Sequence, residues 1–256
     1  MMTNGEILGV SKILLESRAF PKQKMKELLD KLVSGCVPQR NMKLVSDLLA
    51  NEAFHYVELQ RPTDVQETLW ALGEDIRDRF LMELTYRRQD VTLPPVKRVV
   101  EPVSIIFSEY YFYLNAWIVE PDERGEYRHV YDFPAIFRVD RITEYALLKE
   151  RFTVSYADRF QEGAFRKRVQ FMYPGELIQL RFRYTGPSVE AVLDRLPTAQ
   201  IQSQDESGYV IRAEVYGKGI LMWLLSQADR VEILSPESLR EEFRELLRKM
   251  MALYDR

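Results

Sequence analysis

Apolar positions recur at helical spacing along the first third of the chain and at strand spacing after it. Residues 6–17 put Ile7, Val10, Ile13 and Leu14 on one helical face, with Asn4 as the expected N-cap. Pro21 opens a second helix, where a proline costs little at the first position, and Gly35 ends it. Its apolar face is Met25, Leu28, Leu29 and Leu32. A third helix from Gln39 carries Met42, Val45, Leu48 and Leu49. Pro62-Thr63-Asp64 starts a fourth, with Leu69, Leu72, Ile76 and Phe80. Such faces make a helical bundle that packs and connects.

The period shortens near residue 81, where Met82, Leu84 and Tyr86 alternate with Glu83, Thr85 and Arg87. Past Pro94-Pro95, three strands are predicted at Arg98–Val100, Ile105–Phe107 and Tyr111–Val119. Ser108-Glu109-Tyr110 reads as a hairpin turn, as does Asp122-Glu123-Arg124-Gly125, whose glycine can take positive φ. Two further strands follow, near Arg128–Tyr131 and Ala135–Ile142, split by Pro134. Short antiparallel strands in such number predict a small closed barrel, which leaves no exposed edge.

Residues 149–173 carry no clear pattern. Tyr173-Pro174-Gly175-Glu176 is a turn, and the order after it is strand, helix, strand, strand, helix, strand, over residues 177–234. That order is the split βαβ, ferredoxin-like pattern. A last amphipathic helix after Pro236 carries Leu239, Phe243, Leu246, Leu247 and Met250. The expected class is α+β, with a helical segment at 1–80, a barrel at 81–150 and a ferredoxin-like unit at 151–256.

Charge is abundant but balanced, 36 Lys and Arg against 39 Asp and Glu, for a net of −3. A whole-molecule basic field for duplex DNA is absent, so nucleic-acid contact would need a local patch. The single cysteine, Cys36, precludes an intramolecular disulfide and fits the cytoplasm. No apolar run is long enough for a membrane helix, and no signal peptide is recognisable at the start.

Several segments together resemble the WYL-domain transcriptional regulators of bacteria. Phe112-Tyr113-Leu114 stands where that family has Trp-Tyr-Leu. Arg98-Val99-Val100-Glu101-Pro102 is similar to the strand before it, and Phe137-Arg138-Val139-Asp140-Arg141-Ile142 to the second signature. Residues 222–226 and 231–240 resemble the extension that usually follows a WYL domain. Phe112 keeps a ring but loses the indole donor, and Ala135 stands where many relatives have arginine. The winged helix-turn-helix that usually opens such regulators is not recognisable. Promoter DNA would then be met only through a domain beyond this chain.

The resemblance implies an Sm-type, SH3-like barrel that senses a nucleotide-like or single-stranded nucleic-acid effector. Arg138 and Arg141 are permanent cations with planar forks suited to phosphate. Tyr113 offers a ring for a base, and Arg98 and Arg128 would extend the patch, with Arg87 a weaker candidate. Tyr110 to Tyr113 is also what a barrel core looks like, and Arg141 follows a potential ion-pair partner, Asp140. In a straight strand Arg138 and Arg141 point to opposite faces, so a shared ligand requires the strand to bend or end between them. No nucleophile motif, phosphate loop or metal motif is present, and His55 and His129 fall in different units. A non-enzymatic protein without cofactor or metal is expected. Regulation as a homodimer is the first expectation, and a stand-alone accessory protein binding RNA, single-stranded DNA or a protein partner the second.

Overall fold

The computed structural model describes residues 2–90, 92–154 and 160–255, so part of the unpatterned stretch lies outside the described residues. The fold is a mixed α+β one, with helices first and two antiparallel sheets after them.

Three helices, α1 (Asn4–Ser17), α2 (Lys22–Cys36) and α3 (Gln39–Phe54), share one core of Ile7, Leu15, Met25, Leu29, Val33, Val45 and Leu49. Thr3, rather than Asn4, caps α1: its hydroxyl accepts from the Glu6 N–H, and the Glu6 carboxylate accepts from the Thr3 N–H at 2.6 Å. This reciprocal box satisfies two donors, which a lone Asn4 cap would not. The buried stripe of α1 is Ile7, Ser11 and Leu15, and Ile13, expected on the inner face, is 72% exposed. Leu48 of α3 is likewise exposed.

The fourth helix, α4 (Gln66–Asp78), packs with the first sheet instead of the bundle. Its Leu72 is fully buried among Met82, Leu84, Val100 and Leu114, and Val65 joins the same cluster. That sheet contains β1 (Phe80–Tyr86), β2 (Val96–Ser108), β3 (Tyr111–Pro121), β4 (Tyr127–His129), β5 (Ala135–Arg138) and β6 (Ile142–Arg151). Phe80, expected to close the helix, opens β1 after Arg79 turns left-handed at φ 58°. The two strands read at 98–107 are one, running through Pro102. A register shift between Pro102 and Ser104 accommodates the missing N–H.

The sheet order is β4-β3-β2-β1-β6, with β5 also pairing β3. The expected closed barrel is not formed: among the described residues no ladder joins β4 or β5 to β6. A 3-10 turn, Val139–Arg141, takes the corner instead. Across the gap the Arg138 N–H donates to the Tyr86 hydroxyl at 3.3 Å, while the Arg87 N–H donates to the Arg141 carbonyl at 3.0 Å just beyond the last β1–β6 pair, Tyr86 and Ile142.

After α5 (Glu162–Arg168) come β7 (Leu177–Tyr184), α6 (Val189–Arg195), β8 (Gln200–Asp205), β9 (Gly208–Tyr216), α7 (Gly219–Ser226), β10 (Val231–Ser235) and α8 (Glu237–Met251). The second sheet runs β10-β7-β9-β8, all antiparallel. Leu180, Phe182, Ile211, Ala213 and Ile233 face Val192, Leu196, Ile220, Leu224 and Phe243 of the helices. Phe165, Val169 and Met172 then join this unit to Ile106, Tyr113 and Ile136 of the first sheet.

Candidate functional site: an arginine cleft

Chain segments from the bundle and from the first sheet meet around a cleft of about 420 Å³. Arg18 and Arg61 line it from the helical side, and Arg87, Arg88, Arg138 and Arg141 from the sheet side. Tyr110 and Tyr111 form part of the wall, and Asp140 is the one carboxylate in it. The local excess of positive charge is large in a chain whose net charge is −3.

The 3-10 turn explains how Arg138 and Arg141 reach one cleft. β5 stops at Arg138 and β6 starts at Ile142, so strand alternation does not operate between the two arginines. Their roles differ. Arg138 grips Asp140 with two bonds, Nε to Oδ1 at 3.0 Å and Nη2 to Oδ2 at 2.6 Å. Its Cζ also lies 3.4 Å from the centre of the Tyr111 ring. Burial alone would lower its pKa, but the Asp140 bonds outweigh it and hold the value above the ordinary one. Arg138 therefore fixes the wall. Arg141, Arg61, Arg87 and Arg88 make no ion pair among the described residues, which leaves their guanidinium forks for a ligand.

The other expected site residues lie elsewhere. Tyr113 is the cross-strand partner of Arg138 but does not line the cleft. Its ring stands edge-on to Tyr111, centroids 6.4 Å apart, and packs at the junction with α5. Burial pushes its phenol up from 10.0 to about 12. The neutral form is thus favoured by folding; that contribution is complete below pH 10 and is lost as pH rises towards 12. The absorbance titration of the tyrosines is therefore expected to lose its latest step in Tyr113→Phe.

Arg98 stands opposite Leu84, and its Nη1 donates to the Lys97 carbonyl at 3.2 Å, outside the cleft. Arg128 pairs with Glu126 and, at 3.3 Å, with Asp122 in the β3–β4 hairpin. The arrangement thus brings Arg138, Arg141 and Arg87 together and leaves out Tyr113, Arg98 and Arg128. Arg18, Arg61, Arg88, Tyr110 and Tyr111 were not expected as site residues. The Tyr110-Tyr111 pair and the tandem Arg87-Arg88 at the end of β1 are visible in sequence. Arg18 and Arg61 are brought in by tertiary docking alone.

Family comparisons agree with this layout. The WYL domain profile matches residues 67–147, and the WCX domain profile matches residues 174–251. The chain carries a WYL domain followed by a WCX domain. The WYL match begins with α4, in keeping with the packing of Leu72 into the sheet core, and the WCX match covers β7 to α8. Among solved structures, the chain is similar to proteasome accessory factor B/C (PafBC) of Arthrobacter aurescens. Identity is 16% and the TM-score 0.39, over 100% of this chain and 36% of that one. It is also similar to a CRISPR Cas-related protein at 16% identity and TM-score 0.46, over 89% of this chain and 61% of that one. The chain thus spans about a third of the first and three-fifths of the second. No curated protein matches it.

Proposed function

We propose that this chain is the effector-sensing region of a WYL-type transcriptional regulator, and that the arginine cleft binds a nucleotide-like or single-stranded nucleic-acid effector. The observation that carries the reading is the cleft's composition: six arginines and two tyrosines around one carboxylate, itself already held by Arg138. Guanidinium forks suit phosphate oxygens, and the tyrosine rings suit bases. The WYL and WCX matches support the regulatory setting. The role is binding rather than catalysis, and promoter contact is assigned to a helix-turn-helix domain outside these residues.

The first sheet is read as an open variant of the Sm/SH3-like fold, and the β10-β7-β9-β8 order supports a ferredoxin-like reading of the WCX unit. That unit is assigned the dimer contact. The end of α8 supports this, with Met251, Leu253 and Tyr254 64–86% exposed and apolar. An effector that binds one dimer arrangement better than another would shift the population between them.

Fluorescence polarisation with a labelled oligothymidylate at two salt concentrations tests the reading. Salt-sensitive binding is expected in the parent protein and in Arg98→Ala and Arg128→Ala, whose side chains lie outside the cleft. Equal losses in those two variants and in Arg141→Ala would point to a diffuse field and remove the cleft as the site.

A further inference from the structure

The cleft belongs to neither unit alone. The helical core and the sheet core are separate clusters of buried side chains. They meet at Phe20 and Phe112, whose ring centroids lie 6.0 Å apart, and where the Arg18 guanidinium stands 5.1 Å over the Tyr110 ring. Arg18 ends α1 in the left-handed region, at φ 52°. From there its Nε donates to the Val57 carbonyl at 2.8 Å and its Nη2 to the Glu58 carbonyl at 3.4 Å. Those bonds tie the end of α1 to the segment that carries Arg61. Arg18 and the segment carrying Arg61 therefore form one wall, which meets the sheet through Phe20 and Phe112. Facing it, Arg87, Arg88 and Arg141 form the other wall.

Cations on two separately packed bodies repel each other across the gap, and a polyanion between them reverses the sign of that interaction. We propose that the cleft is a clamp: one ligand with at least two phosphate groups contacts Arg18 and Arg61 on the helical wall together with Arg87 and Arg141 on the sheet wall. Ligand binding thereby locks the helical segment onto the WYL sheet. This rests on the reading of the cleft as the effector site and adds to it the ligand's bidentate, polyanionic character and the joint it controls. A ligand touching both walls has differential affinity for the docked arrangement, which is what a switch requires. A monophosphate reaching one wall would bind without locking.

The test uses the whole chain and a labelled oligothymidylate. Arg61→Ala is compared with Arg128→Ala, which removes the same charge outside the cleft. Arg61→Ala is expected to weaken binding about tenfold. It should also reduce the slope of log K against log salt by about 0.7, the value for one phosphate contact on a single strand. Hydrogen exchange supplies a second readout: saturating oligonucleotide should slow amide exchange at residues 56–63 and at 86–89 together. Protection at 86–89 alone, with Arg61→Ala binding like Arg128→Ala, would overturn the clamp and leave the cleft reading standing. Absence of binding by the parent protein at low salt would overturn both.

Discussion

Replacing Arg87 and Arg141 together by alanine is expected to weaken oligonucleotide binding about a hundredfold while leaving the fold intact. The two are neighbours at the end of the β1–β6 pairing, joined by the Arg87 N–H to Arg141 carbonyl bond of 3.0 Å, which alanine retains. Their side chains contribute to no core cluster. Each charged hydrogen bond to phosphate is worth roughly 1.5–3 kcal/mol, and two on adjacent residues couple, so the sum is an upper bound. Polarisation titrations check the affinity and circular dichroism checks the fold. Arg138→Ala is expected to behave differently. It releases Asp140 into the cleft and removes the guanidinium from Tyr111, so stability falls along with binding.

Phe182→Ala is expected to cost about 3–5 kcal/mol of stability, the largest effect of any single truncation considered. Phe182 is fully buried at the centre of the second sheet, with its ring edge-on to Trp223 at 5.7 Å between centroids. Its neighbours across the register, Ile211 and Ile233, are buried on both sides, so the cavity cannot collapse easily. The loss should appear as early melting of the WCX unit in calorimetry. Every residue lining the arginine cleft precedes Ile142, so oligonucleotide affinity measured below that transition should stay within a few-fold of the parent value. Phe182→Leu, which keeps most of the volume, should recover much of the stability.

Much of this architecture is legible in the chain's periodicities. The alternation at Met82, Leu84 and Tyr86 gives β1, and Gly208 closes the β8–β9 hairpin at φ 115°, where a side chain would meet the Tyr184 carbonyl. The helical face of α1 is harder, because Ser11 lies in the buried stripe and Ile13 outside it, against their polarity. The corner at Val139–Arg141 cannot be read from apolar pattern either: Phe137 and Val139 alternate as in a strand, yet the chain turns there from β5 into β6. That turn decides whether Arg138 and Arg141 share a cleft. Of the six arginines in the cleft, Arg138 and Arg141 are found through motif resemblance. Arg18 and Arg61 lie more than 70 residues in sequence from Arg141 and in a different unit, so no local signal connects them.

The most direct measurement is photocrosslinking of a 5-iodouridine-substituted single strand to the whole chain, followed by mass-spectrometric mapping. Crosslinks at Tyr110 or Tyr111, in the wall of the arginine cleft, are the predicted result. Crosslinks confined to the WCX sheet, near Arg181 and Arg212, would contradict it and move the effector site to the second unit.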